Sequence, residues 1–102
     1  MTSEEFRQSL KLDQPPGALG LALEGLWWDG RGSWKLAHES AQQDESPAGA
    51  WVHAYLHRKE GDDSNAGYWY RRAAKPPSQV SLDQEWLQIA ESLLRDANDP
   101  SV

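Results

Sequence analysis

Apolar residues recur along this chain three and four positions apart, in blocks separated by Gly, Pro, Ser and Asp, and that spacing predicts helices. Leu19, Leu23 and Leu26 stand at i, i+4 and i+7, predicting a helix from about Ala18 to Trp28 that Asp29-Gly30 ends. Ser33 then caps a helix through about Gln43, along which Leu36, Ala37, Ser40 and Ala41 keep the period. Ser46-Pro47, a cap followed by the proline that suits a first helical position, starts a helix running to Glu60. Gly61 closes it, and Asp62 or Asp63 caps the next one, to Ala74. Ser81 with Gln84 reads as a capping box, after which Leu82, Trp86, Ile89 and Leu93 repeat at helical spacing. Ser3 before Glu4 and Glu5 predicts a short first helix, stopped by Pro15-Pro16-Gly17. No segment alternates as a strand between hairpin turns, so the expected fold is all-α, with five to six helices.

These elements divide a single domain spanning 1–102. A short helix and linker occupy 1–17, a first helical hairpin 18–44, a second hairpin 46–77 and a C-terminal capping helix 81–97, before a frayed tail over 98–102. The two hairpins are related by an offset of 29, which aligns Gly32 with Gly61, Ala37 with Ala66 and Pro47 with Pro76. The aligned residues suit one job each: a Gly to leave the first helix, a small residue for close approach, a Pro after the second helix.

The run AWVHAYLHRKEGDDSNAGYWYRRAAKPP, at 50–77, resembles a tetratricopeptide or Sel1-type unit. Ala54 takes the small position of its first helix, Gly61-Asp62 the corner, and Ala66, Tyr70 and Ala73 the second helix. The preceding hairpin, from Leu19 to Ala41, resembles the same unit through Gly25, Gly32 and Ala37 but has Ala41 where a large residue is usual. The wording around VHAYLHRKEGD is also similar to a set of short bacterial and fungal proteins. The resemblance implies two stacked TPR-like helical hairpins and says little about activity.

Composition narrows the function classes. Six Trp and three Tyr supply much of the core of a tryptophan-rich chain, and Cys is absent, which removes disulfides, thiolate metal sites and a Cys nucleophile. A net charge of -6 argues against nucleic acid or anionic lipid as a partner. The acidic start and the lack of a long apolar run point to a protein without membrane association, in the cytoplasm. Five of the ten Lys and Arg residues, Arg58, Lys59, Arg71, Arg72 and Lys75, nevertheless crowd into one short segment. Arg58, Tyr68, Arg71 and Arg72 are therefore expected to form a basic face toward solvent or an acidic partner, while Trp69 and Tyr70 pack inward.

Candidate chemistry concentrates on the helix beginning at Pro47. Ala48, Trp51, Val52 and Tyr55 make an apolar face, which leaves His53, His57 and Glu60 on the opposite side, the histidines read as surface residues. Two His one turn apart can bind a divalent ion, or with a carboxylate do acid–base work. HAYLH lacks the Glu that would follow the first His of a helical zinc-protease motif, and a metal would need a further ligand from folding, for which His38, Glu39 and Glu24 are candidates. Shifted by 29, His53 falls on Glu24 and His57 on Trp28, so Glu24, Trp28, His53 and His57 are expected to line one groove, unless Trp28 packs beneath the N-terminal helix instead. There is no phosphate loop and no nucleophile elbow, and Ser33 is a helix cap rather than a nucleophile. The leading expectation is a non-catalytic helical module that binds a peptide or small polar ligand through that groove, with no catalytic residues, cofactor or resident metal. An enzyme or metal protein using His53, His57 and a carboxylate is the alternative, and association with a second copy through surface aromatics stays open.

Overall fold

The computed structural model describes residues 1–98, and its regular structure is helical. The elements are α1 (Ser3–Gln8), a 3-10 turn (Ser9–Lys11), α2 (Leu21–Gly30), α3 (Trp34–Gln43), α4 (Pro47–Lys59), α5 (Asp63–Ala73) and α6 (Leu82–Asn98). Six α-helices and no strand among the described residues meet the all-α expectation. Beyond Asn98, the tail expected over 98–102 lies outside the described residues.

Local chemistry sets the boundaries. The side chains of Ser33, Ser46 and Asp62 accept from the backbone N–H three residues on, at 3.3, 3.4 and 3.1 Å. Ser81 and Gln84 close the expected reciprocal box. At the N-terminus the cap is Thr2 rather than Ser3, because Glu5 stands where its carboxylate can reach back 2.8 Å to the Thr2 N–H. Helix α2 starts three residues later than the apolar spacing suggests. Ala18 and Gly20 adopt φ of 65° and 78°, which a right-handed helix cannot include, so Leu19 anchors the approach to the helix and packs against the core from outside it.

The two corners of the offset repeat are built alike. Gly32 and Gly61 both have φ of 88°, and each donates to the carbonyl three residues back, Asp29 or Arg58. The next N–H, of Ser33 or Asp62, reaches back to Trp28 or His57, completing a left-handed helix stop that also presents the cap of the following helix. Ala37 and Ala66, the paired small residues, are buried in α3 and α5.

Helix α4 is the centre of the molecule and packs against α2, α3, α5 and α6. Gly49, Ala50 and every residue from Val52 to His57 are buried, so the helix has no solvent face along its middle turns. The main core gathers Phe6, Leu26, Trp27, Val52, Leu56 and Ile89. Trp86 of α6 ties it across the fold by donating from its indole to the Leu26 carbonyl at 3.0 Å. Two buried carboxylates pin α4 to its neighbours. Asp29 accepts from Tyr55 Oη and Lys59 Nζ, each at 2.9 Å, and Glu85 accepts from Arg58 Nη1 at 2.8 Å and Tyr70 Oη at 2.5 Å. Burial first, and the adjoining carboxylates next, push the Tyr55 and Tyr70 hydroxyls above the usual phenol range.

Candidate histidine site

His53 and His57 lie one turn apart on α4, opposite Tyr55 and Lys59, as the helical spacing predicts. That side of α4 is covered: the two histidines are 4% and 6% exposed, which corrects the expectation of surface residues. The cause is the double hairpin, since α3 closes over α4 from one direction and α5 from the other.

The third histidine of the chain arrives from α3. The His38 ring meets His53 edge-on at 4.6 Å between centroids and His57 at 5.3 Å, while His53 and His57 stack at 4.8 Å. Two tryptophans hold the group from outside. Trp34, one turn before His38 on α3, stacks on it at 4.8 Å with the planes 10° apart, and its indole donates to the Leu56 carbonyl at 3.1 Å. Trp69 of α5 stacks on His53 at 3.9 Å. One ring nitrogen from each histidine lies within 4.8 Å of the other two.

Glu60 orients the cluster. Its Oε1 is 2.7 Å from His57 Nδ1, and because a carboxylate only accepts, Nδ1 is the donor of this bond; in the neutral ring Nε2 is then the nitrogen that keeps the lone pair. Burial, and then the neighbouring imidazoles His38 and His57, push His53 down to about 4. Burial and His57 likewise lower His38. Both rings are therefore held in the form that can accept a hydrogen bond or coordinate a cation.

No hydrogen bond or ring contact among the described residues joins Glu24 or Trp28, expected to share a groove with these histidines, to His53 or His57. Helix α2 meets α4 through its small residue: a Cβ on Gly25 would stand 3.5 Å from Val52 Cγ1 and 3.0 Å from the Ala37 carbonyl of α3. It is α3, the second helix of its hairpin, that lies on the histidine side. Trp28 packs edge-on against Trp27 at 5.0 Å, and Trp27, whose indole donates to Ser9 Oγ, is the side chain beneath the N-terminal segment.

The basic face is smaller than its sequence suggests. Tyr68, Arg71 and Arg72 are exposed as expected. Arg58 turns inward to Glu85 and also donates to the Val80 carbonyl, since a carboxylate buried at 1% exposure needs a cation beside it. Arg72 lies over Trp69 at 5.1 Å and Tyr68 at 5.8 Å, and donates to the Tyr68 hydroxyl at 3.1 Å. Next to this stack a cavity of about 260 Å³ opens, bordered by His53, Trp69, Arg72, Asp44, Glu45 and Ser46. A second cavity of about 390 Å³, on the far side of α4, is bordered by Arg7, Asp29, Tyr55, Lys59 and Trp86.

Comparison of the chain with known family models, curated proteins and solved structures gives no match. No helix among the described residues is long and apolar enough to cross a membrane.

Proposed function

We propose that the chain is a non-catalytic helical binding module, and that its ligand face is the histidine–tryptophan surface shared by α3, α4 and α5. One observation carries this reading. A chain with three histidines brings all of them together, from positions 38, 53 and 57, in a region where apolar side chains would pack at lower cost. The flanking cavity adds the means of recognition: the aromatic face of Trp69, the guanidinium of Arg72 and the acidic rim of Asp44 and Glu45. Rigid aromatics combined with Arg are the composition of energetic anchors in peptide recognition, and the acidic rim favours a peptide or small polar ligand that carries a positive group.

Saturation-transfer NMR against a panel of short basic peptides and small polar amines tests the reading. A binder should lose affinity by roughly 10-fold or more with Trp69→Ala or Arg72→Gln, because each removes one wall of the cavity. Binding that survives both changes, or that is lost on Arg7→Gln in the opposite cavity, overturns it. The alternative of acid–base catalysis has one observation in its favour, the His57–Glu60 dyad at 2.7 Å.

A further inference from the structure

We infer that His38, His53 and His57 form a binding site for a divalent first-row transition-metal ion, represented by zinc, in which three imidazoles supply one face of the coordination sphere and a fourth position remains for an exogenous donor. The inference rests on reading the α3–α4–α5 surface as the ligand face, and it adds a metal ion to that face.

Geometry comes first. In a tetrahedral zinc site with Zn–N bonds of about 2.0–2.1 Å, the ligating nitrogens stand roughly 3.3 Å apart. The three nitrogens here lie within 4.8 Å of one another, so shifts on the order of 1 Å bring them to that spacing. His53 and His57 offer two donors from consecutive turns of one rigid helix, and His38 adds the third from α3. A pair on one helix alone is an ordinary surface chelate. A third donor from a packed neighbour makes a face.

The surroundings have the features that such sites need. Glu60 accepts a hydrogen bond from His57 Nδ1 and so leaves Nε2 as the coordinating nitrogen of the neutral ring, the arrangement by which a carboxylate fixes the tautomer and raises the basicity of a metal-binding imidazole. Trp34 and Trp69 stack on His38 and His53, hold the ring planes and limit access of water.

The donor set also selects the ion. Three imidazoles and no carboxylate suit zinc, copper, nickel or cobalt, and do not suit calcium or magnesium, which require oxygen ligands. A second possible group, His57 with Glu60 and Asp62, shares the same histidine. Its two carboxylates are exposed, and Asp62 is engaged as the cap of α5 through the Asn65 N–H, so it is the weaker assembly. Filling the three-nitrogen face leaves the fourth tetrahedral position for water or for a donor atom of a polar ligand.

The test uses the full chain, freed of metal by dialysis against chelator, and zinc chloride as the probe. Isothermal titration should show one zinc per chain, with a rise in melting temperature in excess zinc, and cobalt(II) should develop the visible d–d absorption of a low-coordinate site. His38→Asn should weaken zinc binding by more than roughly 100-fold, and Glu60→Gln, which keeps the helix intact, by roughly 10-fold. X-ray absorption on the zinc-loaded, unaltered protein counts the imidazole ligands directly, so the outcome does not depend on whether His53→Asn or His57→Asn folds. Three imidazoles support the site. Fewer than three, unchanged affinity in His38→Asn, or no response to zinc, nickel and cobalt overturns it. Should zinc have no effect while a peptide still binds and is lost on Trp69→Ala, the metal falls and the ligand face stands; if neither binds, both fall.

Discussion

Arg58 of α4 and Glu85 of α6 form an ion pair across the core, 2.8 Å from Nη1 to Oε1, around a carboxylate that is 1% exposed. Tyr70 of α5 donates to the other oxygen, so one carboxyl group joins three helices. Taking two charges out of water is costly, and such a pair is sensitive to loss of one partner rather than strongly stabilising in itself. Glu85→Ala should therefore destabilise the fold by about 3 kcal/mol, whereas Arg58→Met with Glu85→Leu together should cost much less than the single change. Urea unfolding of the three proteins measures both. A single-variant loss below about 1 kcal/mol would show that the pair is solvated and not part of the core.

The corner between α4 and α5 is closed by small residues. Ala54 and Ala66, both buried, let the helices approach beneath Tyr70. Ala66→Leu adds three carbons where there is no room and should cost on the order of 1 to 3 kcal/mol. Thermal melting decides it: a variant that melts like the parent has a looser hairpin than the one described.

Acid should loosen the molecule through His53. The native ring is held near 4 by burial and by His38 and His57, which face it, while Glu60 lies beyond on His57; in the unfolded chain a histidine titrates near 6.5. Between these values the unfolded state binds more protons than the native state, so stability is fully present above about 6.5 and falls as pH drops toward 4. From pH 7 to 5 the loss should be about 2 kcal/mol from this group. Urea midpoints measured with chelator present should show it, and His53→Asn should flatten the slope. An equal slope in that variant would assign the acid sensitivity elsewhere.

Most of the fold was legible because it is written locally. Caps and glycine stops act over three or four residues, so Ser33, Ser46, Asp62 and Ser81 identify their helices from sequence alone. The start of α2 was not, since the positive φ at Ala18 depends on how the linker meets the core. The site was half legible. Spacing places His53 and His57 on one face of α4, and a helical wheel reports that face correctly, but it cannot report what covers it. His38 joins the pair only because α3, and not α2, packs on that side, which is a tertiary fact. The inward turn of Arg58 has the same origin. A stretch of alternating charges reads as a solvated patch until a buried acid, 27 positions away, claims one of its cations.

The two buried carboxylates have a consequence for how the histidines are held. Tyr55, Arg58 and Lys59 fix the opposite side of α4 to Asp29 and Glu85, so the helix cannot roll about its own axis without breaking both sets of bonds. His53 and His57 therefore behave as a fixed jaw. His38, half-buried and backed by Trp34, reaches in from α3 outside that clamp, so whatever the cluster grips is gripped between α3 and two rings that wait in place. The entropy of ordering α4 is already spent when the chain folds, which leaves little of it to be lost on capture.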